Sequence, residues 1–274
     1  MQAQSTGEFL QIVEVLAHRR FSPQPLRLGH AHRRTELNLN QLGNTSHPFN
    51  ITSFAIIPGL GPLWVSEGLC PSCRERALVE HFDSMERWLN EHWVPIALCA
   101  AILLTLLIPI LALRWDLAWL LTYAMLPVYM FHQVEEHTGD RFREFVNRKV
   151  FGGVQALTPL AVLWINLPGV WGVALLSLYA ASFVAPGWGL SIVYLTLVNA
   201  VVHIAAALGF REYNPGLWTA ICLFVPVGAL ALLKVSALPG VGRIHHAVGL
   251  VIGLGIHAAI IVYTRHRAAR IASI

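Results

Sequence analysis

Charge is what this sequence has least of. Only 12% of its 274 residues are Asp, Glu, Lys or Arg, against roughly 25% in a soluble globular domain. Between Lys149 and Arg211 there is none at all. No soluble fold needs such a run, whereas two or more membrane spans do. Lysine is nearly missing, with only Lys149 and Lys234 among 19 basic residues. The pI is about 9.1, yet the basic residues stand in short clusters beside apolar stretches. That placement controls topology, and a nucleic-acid partner is set aside. Cysteine is scarce too. Cys70 and Cys73 form a lone CPSC pair without a second pair or a His at zinc spacing, and without the βαβ setting of a redox CxxC. Cys99 and Cys222 fall in apolar runs, where small buried thiols are common. No basic start, continuous apolar core and small-residue cleavage site mark a signal peptide.

What the chain does have is apolar surface: 55% of its residues are hydrophobic and its mean hydropathy is +0.57. Residues 1–84 stand apart, with scattered Pro, Arg and His and no lasting period. The apolar stretch Phe54–Val65 is too short and too broken by Pro and Gly to span. Residues 1–84 therefore read as a poorly ordered tail, or as an upstream extension from a mis-assigned start. Met85, opening a Trp-rich amphipathic lead, reads as the natural beginning of a membrane domain over 85–274.

Six spans follow. The first is Val94–Leu113, and the second runs from Leu117 through His132. Thr158-Pro159 caps a third that reaches about Val184, with a kink expected at Pro168-Gly169. The fourth covers Leu190 to about Phe210; the fifth opens at Asn214-Pro215 and ends near Lys234; the sixth runs from about Ile244 to Tyr263. A full break at Pro168 would make seven. The expected fold is thus an all-α, polytopic transmembrane bundle of about six spans. Its loops test the count. Arg87, Arg141, Arg143, Arg148, Lys149, Arg211, Arg265, Arg267 and Arg270 fall on one side, against Arg114, Lys234 and Arg243 on the other. The positive-inside rule puts both termini in the cytoplasm of a multi-pass protein of the cell membrane.

Ionisable side chains within spans are costly and mark function by default. His132 precedes Arg141 by nine residues, and His203 and His257 precede Arg211 and Arg265 by eight each. At 1.5 Å per residue the three imidazoles lie roughly 12–14 Å in from one flank. In His132-Gln-Val-Glu135-Glu136 the i, i+3 and i, i+4 spacings turn one imidazole and two carboxylates to one point. Asn199 lies one turn from His203, placed to orient it or to meet a substrate. Tyr213-Asn-Pro-Gly216 has a structural explanation as interface Tyr, Asn cap and first-turn Pro. Its free N–H groups beside Arg211 would also suit an anionic head group. His246 reads as a packed residue, and Gly249, Gly253 and Gly255 as small residues for close helix packing.

HQVEE at 132–136, the later His203 and Tyr213-Asn-Pro-Gly216, in this order on a multi-span chain, resemble the HXXEE-domain membrane protein family. The resemblance extends over roughly 85–265 and implies no established reaction. It supports the choice of His132, Glu135, Glu136, His203 and the 213–216 element. The residues themselves point to a divalent metal, Zn or Fe, held by His132, Glu136, His203 and His257. Glu135 and Glu136 are the catalytic carboxylates, Glu135 as general base, and Asn199, Arg211 and Tyr213 contact substrate. The expected activity is metal-dependent hydrolysis of a lipidic or membrane-soluble small molecule within the lipid bilayer. A proton-coupled transporter relaying protons along the same groups is the alternative.

Overall fold

The computed structural model describes residues 71–273. The tail over 1–70, with the Phe54–Val65 stretch and Cys70, lies outside the described residues. Residues 71–84 are helical and lead without a break into the first span: α1 is Pro71–Leu111. After it come α2 (Leu117–His137), the short α3 (Arg141–Phe145), α4 (Pro159–Phe183), α5 (Leu190–Phe210), α6 (Leu217–Ser236) and α7 (Arg243–Ala272). Among the described residues the fold is all-helical, and this is a membrane protein. Within α1 and α7, and in α4, α5 and α6, lie five helices long and apolar enough to cross a membrane. α2 is not among the five, although it has 21 residues. Its polar end His132–Glu136 is the reason, and that end is inside the bundle: His132, Gln133, Glu136 and His137 are all buried. With α2 the bundle holds the six long helices expected.

Local chemistry sets the boundaries. The Asp116 side chain accepts from the Trp119 N–H at 3.1 Å to start α2, and Thr158 does the same for Ala161 at 3.1 Å to start α4, with Pro159 in its first turn. Pro168 does not divide α4. It sits in a π turn, Ile165–Trp171, whose extra residue makes room for the proline ring and its missing donor. The seven-span alternative is thereby removed.

The main core joins Met125 and Tyr129 of α2 to Leu190, Ile192 and Leu195 of α5 and Phe224 of α6. A second cluster joins Trp93 and Ala97 of α1 to Val162 and Leu163 of α4. On the outside, Leu103, Leu106, Leu176, Phe183, Leu208 and Leu233 are exposed, as a lipid-facing surface requires. Cys99 and Cys222 share that surface, free and exposed rather than buried. α7 lies against α5 through two glycines: a Cβ on Gly249 would fall 2.9 Å from the Leu190 carbonyl, and one on Gly253 3.1 Å from that of Tyr194. Gly255 takes no part, since a Cβ there meets open space. His246 is the packed residue expected, its Nδ1 2.9 Å from the Tyr194 hydroxyl.

Candidate metal centre

The polar end of α2 meets α5 and the start of α6 at the end of the bundle that carries Arg141–Lys149. His132 and Glu136, one turn apart on α2, face His203 of α5. The Glu136 carboxylate lies 3.0 Å from His203 Nε2 through Oε1 and 3.5 Å from His132 Nε2 through Oε2. All three residues are buried. Each offers one ligand atom, and these atoms lie within 4.8 Å of one another.

The far side of each imidazole decides what faces the centre. The Thr219 hydroxyl has one proton and gives it to Glu135 Oε2 at 2.5 Å, in preference to the Gly216 carbonyl at 3.2 Å. Toward His132 Nδ1, 2.8 Å away, it is then an acceptor, so Nδ1 carries the hydrogen and Nε2 a lone pair. Asn214 does the same for His203. Its Nδ2 donates to the His203 carbonyl at 2.9 Å, turning Oδ1 to His203 Nδ1 at 2.6 Å. In the neutral rings both Nε2 atoms thus present lone pairs to Glu136, and His132 Nε2 is buried without a hydrogen-bond partner among the described residues. Acceptors turned on one another without a donor call for a cation between them. Partners on the outer nitrogen are also what holds metal-ligating histidines in place.

A third imidazole joins them, one that the i, i+3 and i, i+4 reading passed over because it directly follows Glu136. His137 Nε2 lies 3.3 Å from Glu136 Oε2. A directed chain leads to it: Trp171 Nε1 donates to Gln133 Oε1 at 2.7 Å, and Gln133 Nε2 to Asn166 Oδ1 at 2.9 Å. Asn166 Nδ2 donates to the Val162 carbonyl at 2.8 Å and reaches His137 Nε2 at 3.2 Å. This nitrogen is therefore an acceptor as well, while His137 Nδ1 is buried and unpartnered.

Glu135 was expected to be the general base, but its carboxylate is already filled. Oε1 accepts from the Tyr213 hydroxyl at 2.8 Å and the Trp218 N–H at 3.1 Å, and Oε2 from the Thr219 N–H at 2.7 Å besides the Thr219 hydroxyl. It ties α2 to the open N–H groups at the start of α6. Burial first, and then the bond to this carboxylate, push the Tyr213 phenol up to about 12, so it remains a donor at any ordinary pH. Asn214 does not cap α6 as the sequence suggested. Gly216 is the N-cap, at φ 97°, and it roofs the centre: a Cβ there would fall 2.7 Å from His203 Cε1 and 2.8 Å from both Glu136 Cγ and His132 Cε1.

The remaining expected site residues stand apart. His257 on α7 is outside the group of converging ligand atoms, and its Nδ1 is 2.8 Å from the Gly253 carbonyl one turn back. The helix that carries it, α7, packs mainly on α5. Asn199 donates to the Tyr129 hydroxyl at 2.6 Å, and the Tyr129 ring lies edge-on to His132 at 5.8 Å, so Asn199 supports the centre from below. Arg211 is exposed at the left-handed C-cap of α5, with φ 54°.

The Thr219 relay is testable on its own. Thr219→Val keeps the shape and removes the acceptor for His132 Nδ1. It is expected to weaken divalent-metal binding about 10–100-fold, read by competition with a chromogenic chelator, with Thr219→Ser restoring most of it.

No curated protein and no solved structure matches the chain. Residues 123–231, which hold the whole HQVEE run, His203 and Tyr213–Thr219, do match the model of a family described as a protein of unknown function with HXXEE motif, so the resemblance read from the sequence stands over that segment.

Proposed function

We propose that His132, Glu136 and His203 hold a divalent cation, Zn or Fe, and that the chain is a metal-dependent membrane hydrolase for a lipidic or membrane-soluble substrate. The carrying observation is the convergence of the buried Glu136 carboxylate with two Nε2 atoms, that of His132 without a hydrogen-bond partner, whose outer nitrogens are held by Thr219 and Asn214. Two imidazoles and one carboxylate are also the set that leaves a coordination position open, the mark of a catalytic site rather than a structural one. A cation bound there supplies Lewis-acid activation of water or of a substrate oxygen.

The chain's own residues account for the rest. Glu135 is a positioning residue: it takes the Thr219 proton and thereby sets the His132 tautomer. Gly216 leaves the space above the centre. Glu136, with all its close polar neighbours lone-pair donors, is the group whose charge a cation would compensate in the low-dielectric interior. Mixed imidazole and carboxylate ligation suits either metal. Turnover by the metal-loaded protein of long-chain esters or amides in micelles, abolished in Glu136→Gln, would support this reading. Proton flux in proteoliposomes without hydrolysis would replace it with the proton-coupled carrier.

The Arg-rich end of the bundle, which lies beside the centre, faces the cytoplasm in this reading. A reporter fused after Arg270 and one inserted at Arg143 are both expected to register as cytoplasmic. An external signal from either would reverse the orientation.

A further inference from the structure

A cavity of about 540 Å³ opens between α1, the end of α2 and the start of α4. Its size falls within the roughly 300–1,000 Å³ of small-molecule sites. Val94 and Leu98 of α1, Val134 of α2 and Val162 of α4 make its apolar wall, and Glu91 and Asp140 stand at its polar part. His137 is in the lining too, and this links the cavity to the centre, because the same imidazole approaches Glu136 to 3.3 Å. One side chain therefore separates the cavity from the converging acceptors. The structure around His137 is built rather than incidental. Its ring packs between Trp93, at 4.9 Å between centroids, and Phe142, at 5.8 Å, and the chain from Trp171 ends on its Nε2. Its Nδ1, which carries the hydrogen when Nε2 accepts, has no hydrogen-bond partner among the described residues.

We propose that this cavity seats the substrate, a single-tailed amphiphile whose hydroxyl end accepts from His137 Nδ1 and donates to the carboxylates of the polar part. The proposal rests on the reading of the His/Glu cluster as a reaction centre, and it names where the substrate of that centre lies and what kind it is. The apolar wall takes the tail, with the gain expected of apolar surface leaving water. The head-group assignment follows from charge. The wall offers carboxylates from Glu91 and Asp140, and among the described residues only Asp140 has a cation paired to it, Arg143. A phosphate or sulfate would face the Glu91 carboxylate uncompensated, whereas a hydroxyl would find acceptors there and a donor in His137 Nδ1. The approach is set by Gly139 and Asp140, both left-handed at φ 66° and 60°, which turn the chain sharply after α2 and bring Asp140 to the cavity.

The test is photolabelling of the full chain in detergent with a diazirine-bearing long-chain alcohol, mapped by peptide mass spectrometry, with metal content measured on the same samples. Label is expected on the α1 peptide holding Val94–Leu98 and on the α4 peptide holding Val162. It should be competed by the unlabelled alcohol and lost in Leu98→Trp, with bound metal unchanged. Leu98 is already partly exposed, so the larger side chain is accommodated. Val94→Trp is the second variant and should lose the label in the same way. Label spread over the lipid-facing surface, or kept in both Trp variants, would overturn the proposal. Competition by a long-chain phosphate monoester as effective as the alcohol would overturn the head-group assignment. Metal present with no label in the cavity would defeat this inference alone, and label in the cavity of a protein that takes up no metal would instead defeat the metal reading of the centre.

Discussion

Alanine at His132 or at His203 is expected to take bound divalent metal from about one ion per chain to under about a tenth of that, measured by plasma mass spectrometry after dialysis. Each substitution removes one of the three ligand atoms that converge most closely among the described residues. With the ion lost, the Glu136 carboxylate, 3.0 Å from one Nε2 and 3.5 Å from the other, is left uncompensated inside the bundle. Breaking a buried charge pair from one side costs about 3–5 kcal/mol, so thermal unfolding should also shift down. The double variant should lose little beyond either single one, because ligands of one ion act as a unit. His257→Ala should keep its metal, as should His246→Ala, whose imidazole bonds Tyr194 instead. Retention of stoichiometric metal in His203→Ala would remove α5 from the centre.

Gly216→Ala is expected to abolish metal binding as thoroughly as loss of a ligand, although it removes no ligand atom. Two penalties combine there. The backbone at φ 97° disfavours any side chain by about 1–3 kcal/mol. The new Cβ would also press on His203, Glu136 and His132 at once, at 2.7–2.8 Å, and no single rotamer change relieves all three. Gly240 separates the two effects. It too has a positive φ, 81°, but a Cβ there meets nothing within 4 Å. Gly240→Ala should therefore lower stability without touching metal content. Equal metal in Gly216→Ala and wild type would mean that the roof over the centre is looser than its geometry indicates.

The contrast between these glycines shows where the sequence was legible. Helices announced themselves through charge-free runs and caps: Asp116, Thr158 and Pro159 start the elements where their chemistry says they should. The His132–Glu136 pairing was readable because i, i+4 on one helix needs no tertiary knowledge, and His203 because its depth could be counted from Arg211. Depth alone misled for His257, since counting gives height along the bundle but not which helix faces which. Glu135 and Asn214 were misread for a related reason. A carboxylate next to a site resembles a base until its four donors from α6 and Tyr213 are seen. An Asn before Pro resembles a cap until its amide is found on His203, eleven residues earlier. His137 was hidden by adjacency, and Thr219 by being an ordinary helical threonine 87 residues from the histidine it orients. These are long-range contacts, and no local period encodes them.

The central claim is that bare, buried acceptors around Glu136 are there for a cation. Its most direct measurement is the metal content of the full-length protein, purified in detergent without chelators or metal-affinity steps, beside Glu136→Gln prepared identically. About one Zn or Fe per wild-type chain is expected, retained through dialysis, and close to none in the variant. A wild type that carries no divalent metal, and takes none up when Zn and Fe are offered, would contradict it.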